Sequence, residues 1–346
     1  MSYQRIVITQ FGSPEVLQVV EQPTLPEPQT GEVRIRVLAT SASFTDVMIR
    51  KGKYPGLQVK PPFSPGYDLV GVVDKQGPNA TRFTVGQHVG DLTVTGGYTE
   101  YLCRAENGLT PLPEELEPAA AVSLILSYLT AYQLLHRVAN VQPSQRIVVK
   151  GAGGAVGSAM LQLGQLQNLS MIGIDAASKH RLIADSGAIP VDYQCESWEN
   201  TLRDIVGDGV DAVFDPIGGA SLPRSLSWLR AGGILAAYGF HTAVLGQGGS
   251  IPLDFLRLKL WNWLPNGRAT QFYSITALRQ RHPEWFTADL ARLFELLAQG
   301  KIKPAIAAQL PLTKARQAHE MIERGDVLGK LVLLATDPAG KARSET

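Results

Sequence analysis

The stretch RIVVKGAGGAVGSAMLQLGQ, residues 146–165, decides the fold. A β-branched run, Ile147 to Val149, gives way to glycines at 151, 153, 154 and 157, and Met160, Leu161 and Leu163 then follow at helical spacing. Strand, tight turn and helix is the reading. Small residues there let the backbone approach a pyrophosphate and let the helix pack on its strand. The free N–H groups of a helix opened by Ala155 and Val156, with a dipole of about half a charge, would face the phosphates. Gly151, Gly154 and Gly157 read G-x-x-G-x-x-G, one place from the usual G-x-G-x-x-G. Glycines in such a turn also serve a purely structural role, so the surrounding pattern has to arbitrate.

That pattern favours the dinucleotide. From about residue 127, strand-like runs (RIVVK, MIGID, DAVFD, ILAAYG) alternate with helical ones (SKHRLIADSGA, WENTLRDIVGDG, LPRSLSWLRAGG). Such alternation builds βαβ units and a doubly wound parallel sheet. Residues 1–126 read as β-rich: EVRIRVLA alternates Val33, Ile35 and Val37 with charge, DLVGVVDKQG and YTEYLCRA are further strands, and prolines and glycines punctuate them. The last 75 or so residues return to mixed character, with amphipathic helices in ADLARLFELLAQGKI and KARQAHEMIERGD and a closing strand in GKLVLLA.

Composition excludes several classes. The 346 residues are 45% hydrophobic, with 32 basic against 31 acidic side chains, so no excess charge calls for nucleic acid or anionic membrane. Two distant cysteines, Cys103 and Cys195, make neither a disulfide framework nor a C-x-x-C motif, which fits a reducing cytoplasm. The N-terminus lacks a signal pattern, and the apolar runs read as broken short of membrane-spanning length; a cytoplasmic protein without stable membrane insertion is expected.

The segments SFTDVMIRKGKYPG, PGYDLVGVV, SLILSYLTAYQLL, VVKGAGGAVGSAMLQL, ASKHRLIADSGA, DPIGG and GKIKPAI, in this order, resemble the medium-chain dehydrogenase/reductases. The similarity is to their zinc-independent quinone oxidoreductase branch and its vesicle amine transport homologues. The resemblance implies an α/β architecture: a GroES-like β-barrel catalytic domain from residues 1–126 and 270–346, and a Rossmann domain from 127–269, with substrate entering the cleft. It also implies a homodimer.

The resemblance sets Ser43, Tyr67 and Leu126 where zinc-dependent relatives carry Cys, His and Cys. Such a trio offers no zinc site of N and S ligands, and the expectation is no metal. Without a Lewis acid to acidify an alcohol, reduction of a quinone or enone by NADPH, with NADH the alternative, is the implied chemistry. The residues placed around the acceptor are Ser43, Asp46, Tyr54 and Thr130. Ser43 stands for the amide of an N-x-x-D motif, and Met48 for a tyrosine. Tyr54 donates to a carbonyl oxygen or packs on its loop with its hydroxyl in water; Asp46 reads first as an acceptor for loop N–H groups.

The cofactor's identity rests on two opposed signals. Asp175 closes MIGID about 20 residues past the turn, where an acid commonly bonds a ribose 2′-hydroxyl. Ser178, Lys179, His180 and Tyr193 lie opposite, and the resemblance aligns Lys179 and Tyr193 with holders of a 2′-phosphate, which favours NADPH. Lys179 as a solvated helix residue is the plain alternative. Gly239 and Lys330 match family segments flanking the nicotinamide and the pyrophosphate. His88, His136, His241, His282 and His319 show no metal spacing and read as surface or loop residues. IPLDFLRLKLWNWLP covers the active site, packs across a dimer or forms a core helix. Two other functions stay open: a hydrophobic-ligand or lipid-binding protein with little turnover, and a reductase of 2-alkenals or enones.

Overall fold

The computed structural model of the protein describes residues 1–325 and 327–335. They form two compact units, Met1–Leu126 with the chain from Leu290 onward, and Ser127–Asp289. The second unit runs past residue 270, where the sequence returns the chain to the first. The reason is strand Ala269–Phe272, which pairs with Leu229–Ala237 and so completes the second unit's own sheet.

Six parallel strands make that sheet: Ile189–Asp192, Ser170–Asp175, Arg146–Lys150, Val210–Asp215, Leu229–Ala237 and Ala269–Phe272, in spatial order. Numbered along the chain this is 3-2-1-4-5-6, the doubly wound Rossmann order. Val148, Ile172, Ile174, Val213 and Leu235 are buried at its centre, the near-continuous apolar runs that a sheet covered on both faces requires. The strand order reverses between Arg146–Lys150 and Val210–Asp215, which puts a ligand crevice at their carboxyl ends.

The first unit is built on strand Glu32–Ala42, whose Val33, Ile35 and Val37 point alternately inward. It pairs antiparallel with Leu69–Gln76, Tyr101–Ala105 and Lys330–Leu334. His88–Asp91 and Thr110–Pro111 extend one side, and Ile306–Pro311 joins Lys330–Leu334 in parallel on the other. Helix Phe44–Arg50 follows the central strand directly.

Two expectations change. Helical residues Pro118–Val138 are long and apolar enough to cross a membrane, but 83% of the apolar stretch is buried inside the protein, as in a core helix. The run is longer than its sequence reading allowed, because no Asp, Glu, Lys or Arg falls between Pro118 and His136. Helix Ile251–Trp261 buries only Asp254 and Leu258, so it is a surface helix and not a core one. Leu253, Leu256, Leu260, Trp263 and Leu264 are exposed, Trp263 at 83%.

Candidate active site

The glycine turn has the geometry its composition dictates. Gly151 takes φ +65°, a left-handed conformation that favours glycine, and its N–H donates to the Ile174 carbonyl at 2.9 Å. A Cβ on Gly157 would lie 2.2 Å from the Gly151 oxygen and 2.7 Å from Ala152 Cα, so only glycine lets helix Ala155–Leu166 sit this close to its strand. Gly154 has more room, since a Cβ there would lie 3.3 Å from the Gly151 oxygen. As the N-cap it has no side chain to cap the helix. The amides of Ala155 and Val156 therefore lack the intrahelical and side-chain acceptors that would occupy them, and the arrangement fits a phosphate.

Asp175 and Lys179 do not face each other as rivals; they are paired. Asp175 Oδ2 accepts the Gly153 N–H at 2.8 Å, Oδ1 accepts the Ala176 N–H at 2.9 Å, and Lys179 Nζ stands 3.4 Å from Oδ1. The carboxylate is thus spent on the turn, while the Lys179 stem lies over Gly153. Ser178 and Tyr193 are exposed nearby in the chain, on the segments after the second and third strands. Gly239 follows strand Leu229–Ala237 and abuts the Pro216 carbonyl, which a Cβ would meet at 2.5 Å. Burial and the Lys179 charge push the His241 imidazole down, keeping it neutral.

A second network at the sheet's reversal point went unread in the sequence. Lys150, the residue before Gly151, donates to Ser221 Oγ and lies 3.5 Å from Asp215 Oδ2. Asp215 also accepts from both Ser221 and Ser225 at 2.6 Å and from the Ile217 amide at 2.7 Å. Burial raises its pKa, but Lys150 and these donors outweigh burial and hold it below the usual carboxylate value. The signal available was a lysine closing a buried strand, where an apolar residue is the norm.

In the first unit Ser43 and Asp46 form a capping box on helix Phe44–Arg50. Asp46 Oδ2 accepts the Ser43 N–H at 3.0 Å and its hydroxyl at 2.6 Å. Tyr54 and Tyr67 share a 2.6 Å hydroxyl contact, with Tyr54 part-exposed and Tyr67 fully buried. Asp68 accepts the Ser41 N–H at 2.9 Å and its hydroxyl at 2.6 Å, and Lys330 Nζ is 4.0 Å away. Lys330 is therefore a buried residue of this cluster, with no hydrogen-bond partner for Nζ. Thr130 belongs to the second unit, buried in helix Leu129–Gln133.

His319 is a correction: it is fully buried, not on a surface or loop. Arg50 donates toward its Nδ1 at 3.4 Å, which leaves Nε2–H to donate to the Tyr98 hydroxyl at 3.2 Å. Burial and the Arg50 charge push its pKa down to about 3. The sequence did hold a clue, because His319 shares the inner face of helix Ala315–Arg324 with Ala315 and Ala318. Ser43 caps a helix, Tyr67 is buried and bonded to Tyr54, and Leu126 is buried, and as a trio they offer no N and S donor set for zinc. Among the described residues, no group of three or more His, Cys, Asp or Glu could hold a metal ion.

Residues 29–114 match the alcohol dehydrogenase GroES-like domain, and residues 187–333 match the family described as zinc-binding dehydrogenase. A quinone oxidoreductase from Rattus norvegicus is 30% identical over 339 residues, covering 95% of this chain and 97% of that protein. The chain belongs to the medium-chain dehydrogenase/reductase family. Within that family it falls in the quinone oxidoreductase branch and is an NAD(P)H-dependent oxidoreductase. The Escherichia coli quinone oxidoreductase solved with NADPH superposes at a TM-score of 0.83, with 26% identity and 96% and 99% of the two chains covered. The synaptic vesicle membrane protein VAT-1 homologue of Danio rerio is 28% identical over 97% of this chain and 71% of its own length.

Proposed function

We propose that the protein is an NADPH-dependent reductase passing hydride to a quinone or related conjugated carbonyl without metal assistance. The observation that carries the reading is the uncapped glycine turn in a chain similar to quinone oxidoreductases; the resemblance, which sets Ser43, Tyr67 and Leu126 where zinc-dependent relatives carry metal ligands, supports the absence of metal assistance. When bound, NADPH supplies the hydride. The Ala155 and Val156 amides receive its pyrophosphate, while Lys179, Ser178 and Tyr193 take the 2′-phosphate. Asp175, already committed to Gly153 and Ala176, is poorly placed to select a free 2′-hydroxyl, which supports NADPH over NADH. Hydride addition leaves negative charge on the acceptor oxygen. The Tyr54 hydroxyl donates to that oxygen and is held in place by Tyr67.

The protein is read further as a homodimer. Strand Ala269–Phe272 is one of the two edge strands of the parallel sheet, and its far edge is where a second copy would extend it.

The test is reduction of 9,10-phenanthrenequinone by NADPH after exhaustive chelation and elemental analysis. Activity should survive, and Tyr54→Phe should lower it. Activity that tracks stoichiometric zinc would overturn the proposal. A second reading, a ligand- or membrane-binding protein with little turnover, draws on the exposed Leu253, Leu256, Leu260, Trp263 and Leu264. It prevails if no acceptor is reduced at all.

A further inference from the structure

The capping box of Ser43 and Asp46 lies in a buried charge cluster whose signs do not balance. Two carboxyls, Asp46 and Asp68, are both fully buried, and one ammonium, Lys330, faces them. Tyr98 faces both acids; its hydroxyl, raised by burial and by their charges, stays protonated. Arg50 directs its guanidinium to Glu323 at 2.9 Å and to the Gly12 carbonyl at 3.1 Å and bonds neither acid, Lys51 also meets Glu323 at 2.6 Å, and His319 is neutral. An unpaired buried anion costs several kcal/mol or takes a proton.

Hydrogen bonding decides which acid takes it. Asp68 accepts from the amide and hydroxyl of Ser41 and is the carboxyl with Lys330 at 4.0 Å. Asp46 accepts only at Oδ2, from Ser43, and its buried Oδ1 meets no donor. Asp68 is thus the better-supported anion and Asp46 the natural holder of the extra proton. Burial raises both acids, Asp46 to about 7, so the hydrogen bonds and the Lys330 distance are what separate them.

We propose that Asp46 stores the proton that the Ser43 hydroxyl delivers to the substrate oxygen left negative by hydride addition. The inference rests on the reductase reading of this site. Ser43 is part-exposed while Asp46 is sealed behind it, 2.6 Å from Oγ. In the neutral form the Oδ2–H donates to Ser43 Oγ, and the Ser43 proton is free to donate outward. Two electrons and one hydrogen reach the substrate carbon as hydride. The Ser43 O–H bond breaks as the substrate O–H bond forms, and the Asp46 proton moves to Oγ. Asp46 is left as a carboxylate until water restores the proton through Ser43. Asp46 touches no substrate; it is a positioning residue that acts through Ser43.

The experiment is the pH profile of enone reduction at saturating NADPH for wild type, Asp46→Asn and Ser43→Ala, with infrared difference spectra of the cofactor-free proteins. Wild-type turnover should fall as pH rises through about 7, as should a protonated-carboxyl band absent from Asp46→Asn. Both variants should be roughly 10- to 100-fold slower at pH 6 and nearly flat with pH. Ser43→Ala leaves the buried acid in place, so it carries the test if Asp46→Asn does not fold. Wild-type rate and slope in either folded variant would overturn the relay while leaving the reductase reading intact. A wild type that binds NADPH but reduces no acceptor would overturn both.

Discussion

The glycine turn of the second unit and the charge cluster of the first solve the same problem, holding polar groups out of bulk water, by opposite means. The turn does it with backbone: Gly151, Gly153 and Gly154 have their own amides bonded and leave those of Ala155 and Val156 to point outward, and the Gly157 contact leaves no room for a Cβ. The cluster does it with side chains drawn from distant parts of the chain, Ser41, Asp46, Asp68, Tyr98, His319 and Lys330, each buried and most paired. A backbone site is written in one short stretch of sequence. A side-chain site is written in the topology.

The sharpest way to break that comparison is to remove one cluster member whose charge is fully enclosed. Arg50 donates to the Gly12 carbonyl at 3.1 Å and to Glu323 at 2.9 Å, and it also fixes the tautomer of His319. Arg50→Met should cost about 2–5 kcal/mol of stability in denaturant unfolding at neutral pH, because it leaves the Gly12 carbonyl and a histidine nitrogen without their buried partner, while Glu323 keeps Lys51 at 2.6 Å. A loss below about 1 kcal/mol, the range of an exposed pair, would mean that these side chains do not act as one unit.

This contrast explains what the sequence disclosed. The doubly wound parallel sheet and the turn were legible because apolar runs, glycines and helix spacing are local signals, as in Ile147–Val149 followed by Gly151, whereas the edge strands Ile189–Asp192 and Ala269–Phe272 were not. The capping of helix Phe44–Arg50 by Ser43 and Asp46 went unread, although the two stand three residues apart, as a capping box requires. The Asp175–Lys179 pairing was not legible, because spacing shows that two residues are neighbours but not which way a carboxylate turns. Asp68, Lys330 and His319 lie about 260 residues apart at the extremes and meet only because Lys330–Leu334 pairs with Glu32–Ala42, a pairing no local pattern announces.

Acid and base should act on the cluster from opposite sides. His319 is neutral in the fold, with a pKa near 3 against about 6.5 when unfolded, so the unfolded chain gains the proton first. Stability contributed by this group is present above about 6.5 and is lost as pH falls from there toward 3, with a slope approaching 1.4 kcal/mol per pH unit. Asp46 runs the other way. Its folded value of about 7 lies above the unfolded 3.8, so its contribution is most favourable at low pH and declines as pH rises between those values. Urea midpoints measured across this range should show a flatter acid limb in His319→Gln than in wild type. Parallel acid limbs would mean that His319 is protonated in the fold and that the Arg50–His319–Tyr98 arrangement is different.

The smallest expected effect falls on the backbone site, and it sharpens the comparison by showing where side chains still matter there. Lys179→Ala should weaken NADPH by about 1–3 kcal/mol, the worth of a charge-assisted bond, and leave NADH nearly unchanged. The selectivity follows from the pairing with Asp175. With Lys179 in place, the 3.4 Å ion pair cancels the carboxylate and leaves donors to share with a 2′-phosphate. Without it, Asp175 remains tied to the Gly153 and Ala176 amides as an uncompensated anion beside the turn. NADPH then loses an attraction and meets a repulsion, whereas NADH, lacking the phosphate, meets neither. Fluorescence titration of both cofactors at two salt concentrations reads the difference, which should shrink as salt screens the charges. Equal weakening of the two cofactors would show that Lys179 only braces the turn through Gly153, and that the preference for NADPH must come from Ser178 and Tyr193.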